Sequence, residues 1–490
     1  MLTCFSLTHR GWLLVCSFLF ALTLLCTSAQ VGQAQRFPKD SLLSALKTVT
    51  ADTNRVRVLS QLAYRFSRTD IARAKDYVNE AMTLARKLDY ALGVGNAHWM
   101  LGWIATGRRD KDGALREFRR SKHIYDSLGF GRASSRCLTA MGDVYMYVHD
   151  HRTALDYYHC ALAGYTAAND TLGICHSFLH MGNMHLSRYE YEDAFREYRA
   201  SLRFAEEAGR KRPIASALRN LANLNRDRGR FDEALKQAQR AAALSSDVGD
   251  EAGAAGCHGN MGAIYKNKAR YQKALKHYER ALRYFSDNDI KSMMTKCLMG
   301  IADVNLILGR TAEALEAYHT CESIARERTD VPALANALIG KGNALRVQGR
   351  LSQAIETYTA ALQLSRRIGQ KAMTLLCLKL SADIHASRKE YDIALEEYQE
   401  AFTLARGTDD HKAIANIQSG IAGVESGLGN QDKALRAYQN AREALEQCGD
   451  LEGLAYCLAN MGGIFVDQRD YEKAMDLFLE GLSIAERIGA

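Results

Sequence analysis

His176 and His180 stand four residues apart in the stretch "CHSFLHMGNMH", with Cys175 beside the first and His185 beyond the second. On a helix that spacing puts two imidazoles on one face, where a divalent ion could be held. The stretch contains no HExxH pattern and no carboxylate at the offset that zinc hydrolases use. A histidine pair on a solvated helix face needs no ion, so metal is not expected here. The nearby "HDH" at 149–151 reads as a turn.

Twelve cysteines offer a second kind of chemistry. Cys4, Cys16 and Cys26 fall near the N-terminus. Cys137, Cys257, Cys297, Cys377 and Cys457 are separated by multiples of 40, and Ala97, Ser177, Ala217 and Ala337 stand in the same register. A position that accepts Ala, Ser or Cys is a packing position for a small side chain. Neighbours one helix spacing apart, ~8–10 Å, are too distant for a disulfide. There is no CxxC pair, nucleophile elbow, phosphate loop or dinucleotide fingerprint. The chain reads as no enzyme, with no cofactor and no metal.

What would position any functional side chain is a repeat. Stepping by 40 from Ala274 reaches positions 74, 114, 154, 194, 234, 274, 314, 354, 394, 434 and 474, and all eleven are alanine. Twelve residues earlier, from the second copy on, stands Gly or Ala, as in Gly102, Gly142, Ala222, Gly262 and Gly342. Four residues later the position is aromatic in nine copies, from Phe118 and Tyr158 to Phe478, with Val78 and Ala238 as exceptions. Spacings of three, four and seven line one face of a helix. Each copy is therefore read as two helices, A and B, with small residues letting them approach and a ring filling the groove beside them. Short polar turns such as "QGRLSQ" separate A from B. Gly129, Gly209, Gly249, Gly369, Gly449 and Gly489 mark the ends of B helices. Pro213 and Pro332 fall close to predicted starts of A helices.

These residues resemble the tetratricopeptide repeat. Its pattern has Leu, Gly and Tyr along helix A, then Ala, Phe/Tyr and Ala along helix B. The resemblance covers roughly residues 50–490, at a period of 40 rather than the usual about 34. That makes it similar to the long-period arrays of bacterial signalling proteins and of peptide-binding scaffolds. The resemblance implies an all-α fold, a right-handed α-solenoid of about eleven helix-turn-helix units. It also implies that the concave groove is lined by helix A, at residues three before, one after and four after its Gly/Ala. Those positions hold Leu179, Asn183 and Leu186, then Arg219, Asn223 and Arg226, then Gly259, Ala263 and Lys266. Asn183, Arg219, Asn223, Arg226 and Lys266 resemble part of the carboxylate clamp with which some members hold an acidic peptide end. The unit around Asn183 lacks the clamp's basic residue, and Asp143, Asp303 and Asp383 put negative charge at equivalent positions. Ordinary solvated helix faces are the competing reading.

The N-terminus departs from the repeat. After Arg10, an apolar run from Trp12 to Cys26 precedes small and polar residues. This is a secretory signal pattern with cleavage expected after Ala29 or Ala34. The run has 15 residues, short of the ~20 that span a bilayer. An uncleaved anchor is the alternative, and Leu25 before Cys26 fits lipoprotein processing poorly. The expected organisation is a signal peptide or anchor over 1–34, a short lead-in helix over 35–50 and the array over 51–490. A net charge of +8 from 64 basic and 56 acidic residues is too mild a bias for nucleic-acid binding. The expected function is a protein-protein interaction scaffold, exported to a bacterial periplasm or cell envelope, with a peptide or partner protein in its groove. Membrane contact is expected only through an uncleaved N-terminal segment. The alternative is the sensory input array of a membrane-associated kinase or cyclase that lacks its output module.

Overall fold

The computed structural model describes residues 39–67, 70–188, 190–407 and 410–488. The leader 1–34, the start of the lead-in segment and Gly489 lie outside them. Every regular element among the described residues is an α-helix. Among the described residues a ten-residue helix, Lys39–Thr48, comes first, and eleven helix pairs follow, from Thr53–Phe66 with Ile71–Lys87 to Leu451–Asp467 with Tyr471–Ile488. Nearly all the paired helices have 17 residues, which with two short turns gives the 40-residue period. No described helix is long and apolar enough to cross a membrane. The chain divides into two compact bodies, residues up to Glu197 and residues from Tyr198 on. In each, consecutive helix pairs pack as an α-solenoid.

Packing explains the repeated residues. The alanine of every B helix, from Ala74 to Ala474, is at most 2% exposed. The Gly/Ala of helix A serves the ring more than the backbone. A Cβ added at Gly102, Gly262 or Gly462 would lie 2.7 Å from Phe118, Tyr278 or Phe478 of its own repeat. The following A helix closes the other side. Gly300, Gly340 and Gly420 lie against Tyr278, Tyr318 and Tyr398, where an added Cβ would come under 3.0 Å from the ring. Each of these tyrosines is a plate held between two helices, at most 5% exposed, and aromatic plates of this kind dominate core energetics.

Helix ends follow two devices. Asp110, Asp250, Asp330 and Asp450 cap A or B helices by accepting the N–H three residues on, as Asp110 does from Gly113 at 2.9 Å. B helices stop on a left-handed residue: Gly129, Gly209, Gly249, Gly369 and Gly449 have φ between 60° and 72°. Asp89, Asn169, Asp289 and Thr329 take the same conformation at φ 49° to 52°, and the polar Asp and Asn tolerate it best. The A–B turns use it as well, at Gly229, Gly309 and Gly349 and at the non-glycine Arg109, His149 and Lys389. Pro213 and Pro332 sit third and second in their helices, where a missing N–H removes no intrahelical bond.

All the described cysteines are free thiols. Burial pushes Cys137, Cys257 and Cys457 up to about 11 and Cys297 and Cys377 up to about 12. Cys160 and Cys448 alone among the described cysteines are exposed. Alkylation of native protein at neutral pH is therefore expected at Cys160 and Cys448, and at the buried seven only after denaturation. Mass mapping of the labelled peptides checks this, and a disulfide between two of the five in the shared register would refute the stacking.

Candidate functional site: the A-helix face and its tyrosine rungs

The tyrosine plates end in hydroxyls, and these reach the A-helix face. Tyr158 donates to Asp143 at 2.8 Å, Tyr318 to Asp303 at 2.6 Å, Tyr358 to Asn343 at 2.7 Å and Tyr398 to Asp383 at 2.7 Å. Donor and acceptor are 15 residues apart in each case, one from helix B and one from helix A of a single repeat. Every such rung links the two helices by a bond worth about 1 kcal/mol or somewhat more, since most acceptors are charged. Burial and the neighbouring carboxylate push the Tyr158, Tyr318 and Tyr398 phenols up, so they stay protonated donors.

The aspartates also hold cations. His180 Nδ1 lies 3.0 Å from Asp143, Lys266 Nζ 2.8 Å from Asp303 and Lys379 Nζ 2.7 Å from Asp383. Asp143, Asp303 and Asp383, which the sequence suggested as negative charge opposing an acidic ligand, are thus occupied within the protein, the last two by lysines. His180 also stacks on Tyr158, ring centres 5.3 Å apart, while His176 is exposed. The i, i+4 pair is split between a rung and solvent.

The fifth and sixth repeats break the rungs. Helix A Lys211–Asp227 supplies Asn223 as acceptor, but helix B Phe231–Asp247 has Ala238 in place of the tyrosine. Asn223 Oδ1 is buried without a hydrogen-bond partner. In the sixth repeat Tyr278 is present, but Ala263 replaces the acceptor. Asn260, at the position where Gly300 and Gly340 face the preceding ring, has a buried Nδ2 that is also without a partner. Asn225, on the same helix as Asn223, gives its Nδ2 to Gln237 at 3.0 Å and leaves Oδ1 unpaired. Buried polar atoms are rarely left so, and here three occur on the two A helices that pack on the helix carrying Ala238.

The residues suggested by the sequence fall as follows. Arg219, Asn223 and Arg226 share one face of helix Lys211–Asp227 and are all half-buried. Arg219 has no ion pair or hydrogen bond among the described residues. Arg226 grips its own neighbour Asp227 through Nε at 2.9 Å and Nη2 at 2.7 Å. Lys266 is turned to Asp303. Asn183 is exposed on helix Thr171–Ser187, in the first body. Periodicity puts Arg219, Asn223 and Arg226 on one helix face but could not reveal the orphaned amides of Asn225 and Asn260. The missing tyrosine at 238 was the available signal.

One further group has the composition of a cation site. His185, Glu190 and Asp193 bring their donor atoms within 4.8 Å of one another. Glu190 is already shared by His185 at 2.7 Å and Arg188 at 2.9 Å, and Asp193 pairs with Arg196. The same turn recurs 200 residues on, where His385 and Arg388 hold Glu390 at 2.5 and 3.2 Å. The cluster is an ion-paired turn lock.

An array of paired 17-residue helices with small and aromatic residues at fixed positions defines a helical-repeat protein. Two family models agree: the MalT-like TPR region matches residues 261–449, and the tetratricopeptide repeat matches residues 213–287 and 413–487. The chain is a tetratricopeptide-repeat protein. Among solved structures it is similar to the apo quorum sensor NprR from B. thuringiensis, at 16% identity and a TM-score of 0.52, over 70% of this chain and 99% of that one. It is also similar to a signal transduction ATPase with a tetratricopeptide repeat sensor from Pyrococcus horikoshii, at 14% identity and a TM-score of 0.54, over 88% and 73%. A Rap protein complexed with Competence and Sporulation Factor aligns at 15% identity and a TM-score of 0.50, over 68% and 92%. At these identities the likeness is one of fold. A search of curated proteins finds no match.

Proposed function

We propose that this chain is a non-catalytic binding scaffold whose A-helix face holds an extended peptide or partner segment by an acidic end. The observation that supports it most is the broken rung of the fifth repeat. There Arg219 has no partner among the described residues, Asn223 has an unpaired carbonyl, and both stand on one helix face beside Arg226. At Asp143, Asp303 and Asp383 the acceptors of that face are each met by a histidine or lysine of the protein itself. Asn side chains suit a peptide backbone, having donor and acceptor together, and Arg suits a carboxylate. A fold relative crystallised with Competence and Sporulation Factor lends the same reading support by analogy.

Charge-assisted bonds contribute about 1.5–3 kcal/mol each, so Arg219→Ala should weaken ligand binding at least about tenfold. Lys236→Ala, an exposed cation on the opposite helix of the repeat, should leave it unchanged. The ligand is obtained by pull-down with the full chain and the affinities by calorimetry. Equal losses for both variants, or none for Arg219→Ala, would remove the clamp.

The reading includes export. N-terminal sequencing of protein from the exported fraction should begin at Gln30 or Gln35, whereas an intact Met1 would favour an anchor. A second reading, the input array of a signalling protein, has support from the relative in which such repeats form the sensor of an ATPase. A kinase, cyclase or ATPase recovered in the pull-down would favour it.

A further inference from the structure

The first body carries a different unsatisfied site, which does not depend on the reading above. Trp99 and Trp103 lie one turn apart on helix Ala91–Gly107, at the positions three before and one after Gly102. Their rings are stacked, centroids 5.9 Å apart and planes within 8°. Trp99 packs against the core on both sides, while Trp103 belongs to no core cluster among the described residues. From helix Gly131–Tyr147, the guanidinium of Arg136 lies 4.5 Å over the Trp99 ring. Nothing anionic among the described residues meets it. Arg136 makes no ion pair there, and its one hydrogen bond is a 3.5 Å contact to the Tyr125 hydroxyl.

Two buried donors of this cluster, Trp99 Nε1 and Arg136 Nε, have no acceptor. The nearby carboxylates are spoken for. Glu117 is held by His98 at 2.6 Å and by Arg120 at 2.8 Å; Asp143 is held by Tyr158 and His180. Unpaired donors call for an acceptor, an unpaired guanidinium calls for a negative one, and a parallel indole pair offers flat apolar area to a ring. A cationic ligand is disfavoured, because Arg136 already occupies the indole face that would attract it.

We propose that Trp99, Trp103 and Arg136 form a subsite for an aromatic carboxylate. The ligand's ring lies against the indoles, and its carboxylate accepts from Arg136 and Trp99 Nε1. Arg136 is half-buried and moves on the fast side-chain timescale. It covers Trp99 in the free protein and swings to meet the carboxylate. The same chemistry could arrive as a small aromatic acid or as the C-terminal phenylalanine or tyrosine of a peptide.

The experiment titrates the full chain with phenylacetate, with the peptide Gly-Gly-Gly-Phe, and with the carboxamide of each, reading tryptophan fluorescence and heat. The chain has one other tryptophan, Trp12 in the leader, so a change in emission that persists in a Trp12→Phe variant reports on the site. Saturable binding is expected for the acids, with the amides about tenfold weaker for loss of the charge-assisted bond. Arg136→Gln should bring acid and amide to the same weak level, Arg136→Lys should restore part of the difference, and Trp103→Ala should weaken all four ligands. Tighter binding of the peptide acid assigns the site to a chain terminus, and tighter binding of phenylacetate assigns it to a free acid. Absence of saturable binding, equal affinity for acid and amide, or an Arg136→Gln variant that still discriminates would overturn the proposal. Unchanged helical circular dichroism in the variants separates these results from misfolding. Loss of the Arg219 clamp would leave this test unaffected.

Discussion

Gly340→Val is expected to cost about 3 kcal/mol, at or slightly beyond the upper end of ordinary overpacking. Gly340 lies in helix Val331–Val347 against the ring of Tyr318, and Gly342, two residues on, lies against Tyr358. Both rings are almost completely buried, at 1% and 0% exposure, so neither can retreat to water. An added Cβ at Gly340 would already come under 3.0 Å from the Tyr318 ring, and valine adds two methyl groups to that. The ring can yield only by tilting, which pulls its hydroxyl from Asp303 and forfeits the rung. Because each repeat contacts only its neighbours, amide exchange should accelerate in the seventh and eighth repeats far more than in the second or eleventh. Gly463→Ala is the control. No side chain lies within 4 Å of a Cβ there, so helix propensity alone acts and stability should rise by up to about 1 kcal/mol. Urea denaturation with amide exchange by mass spectrometry measures both. A tolerated valine, or protection lost evenly along the chain, would mean that the rings are not rigid plates.

The repeat is legible in the sequence because solenoid packing is local. Every helix meets the same neighbours, so the same residue types return at Ala274, Gly262 and Tyr278 and at their counterparts 40 residues away. Helical spacing says which face a residue occupies, and it puts Asn223 and Arg219 on one face, where they are found. It does not say which long side chain arrives from another helix. By spacing alone Asp303 and Asp383 read as groove charge, whereas the hydroxyls of Tyr318 and Tyr398 reach them from behind. A signal existed in the pairing of types: Tyr158, Tyr318, Tyr358 and Tyr398 each have Asp or Asn 15 residues earlier, whereas Phe118 has Trp103 and Phe478 has Gly463. The same comparison exposes Asn223 with Ala238 as a rung without its tyrosine. The left-handed A–B turns are less legible. Arg109, His149 and Lys389 adopt a conformation for which Gly229 and Gly309 are the usual choice, and solvated polar side chains conceal it in the sequence.

Lys341→Met and Glu322→Leu are each expected to destabilise the protein, and together to restore it. Glu322 of helix Thr311–Glu327 is only 4% exposed, at a position that holds leucine in Leu162, Leu202, Leu282 and Leu362. Lys341, from the next helix, stands where Met141, Met181 and Met261 stand. Lys341 Nζ lies 3.0 Å from one carboxylate oxygen and Arg326 Nη2 2.6 Å from the other. Breaking a fully buried pair costs about 3–5 kcal/mol. Lys341 keeps 28% of its side chain exposed, so Lys341→Met should cost about 2–3 kcal/mol and Glu322→Leu somewhat less, because the freed ammonium can reach water. The double variant returns the apolar contact of the other repeats and should match or exceed the parent, as replacement of buried ion pairs often does. The cycle then yields a coupling of about 2 kcal/mol or more. Burial pushes the Glu322 carboxyl up, but Lys341 and Arg326 prevail and hold it below its ordinary 4.5. A depressed folded value stabilises the protein above the unfolded one, so the contribution is complete above about pH 5 and fades as pH falls through about 4.5 and below. The parent should lose this part of its stability on acidification, and the double variant should not. Denaturation midpoints between about pH 7 and about pH 3 measure the difference; parallel pH profiles for the two, or additive losses in the double variant, would show that the pair is not coupled.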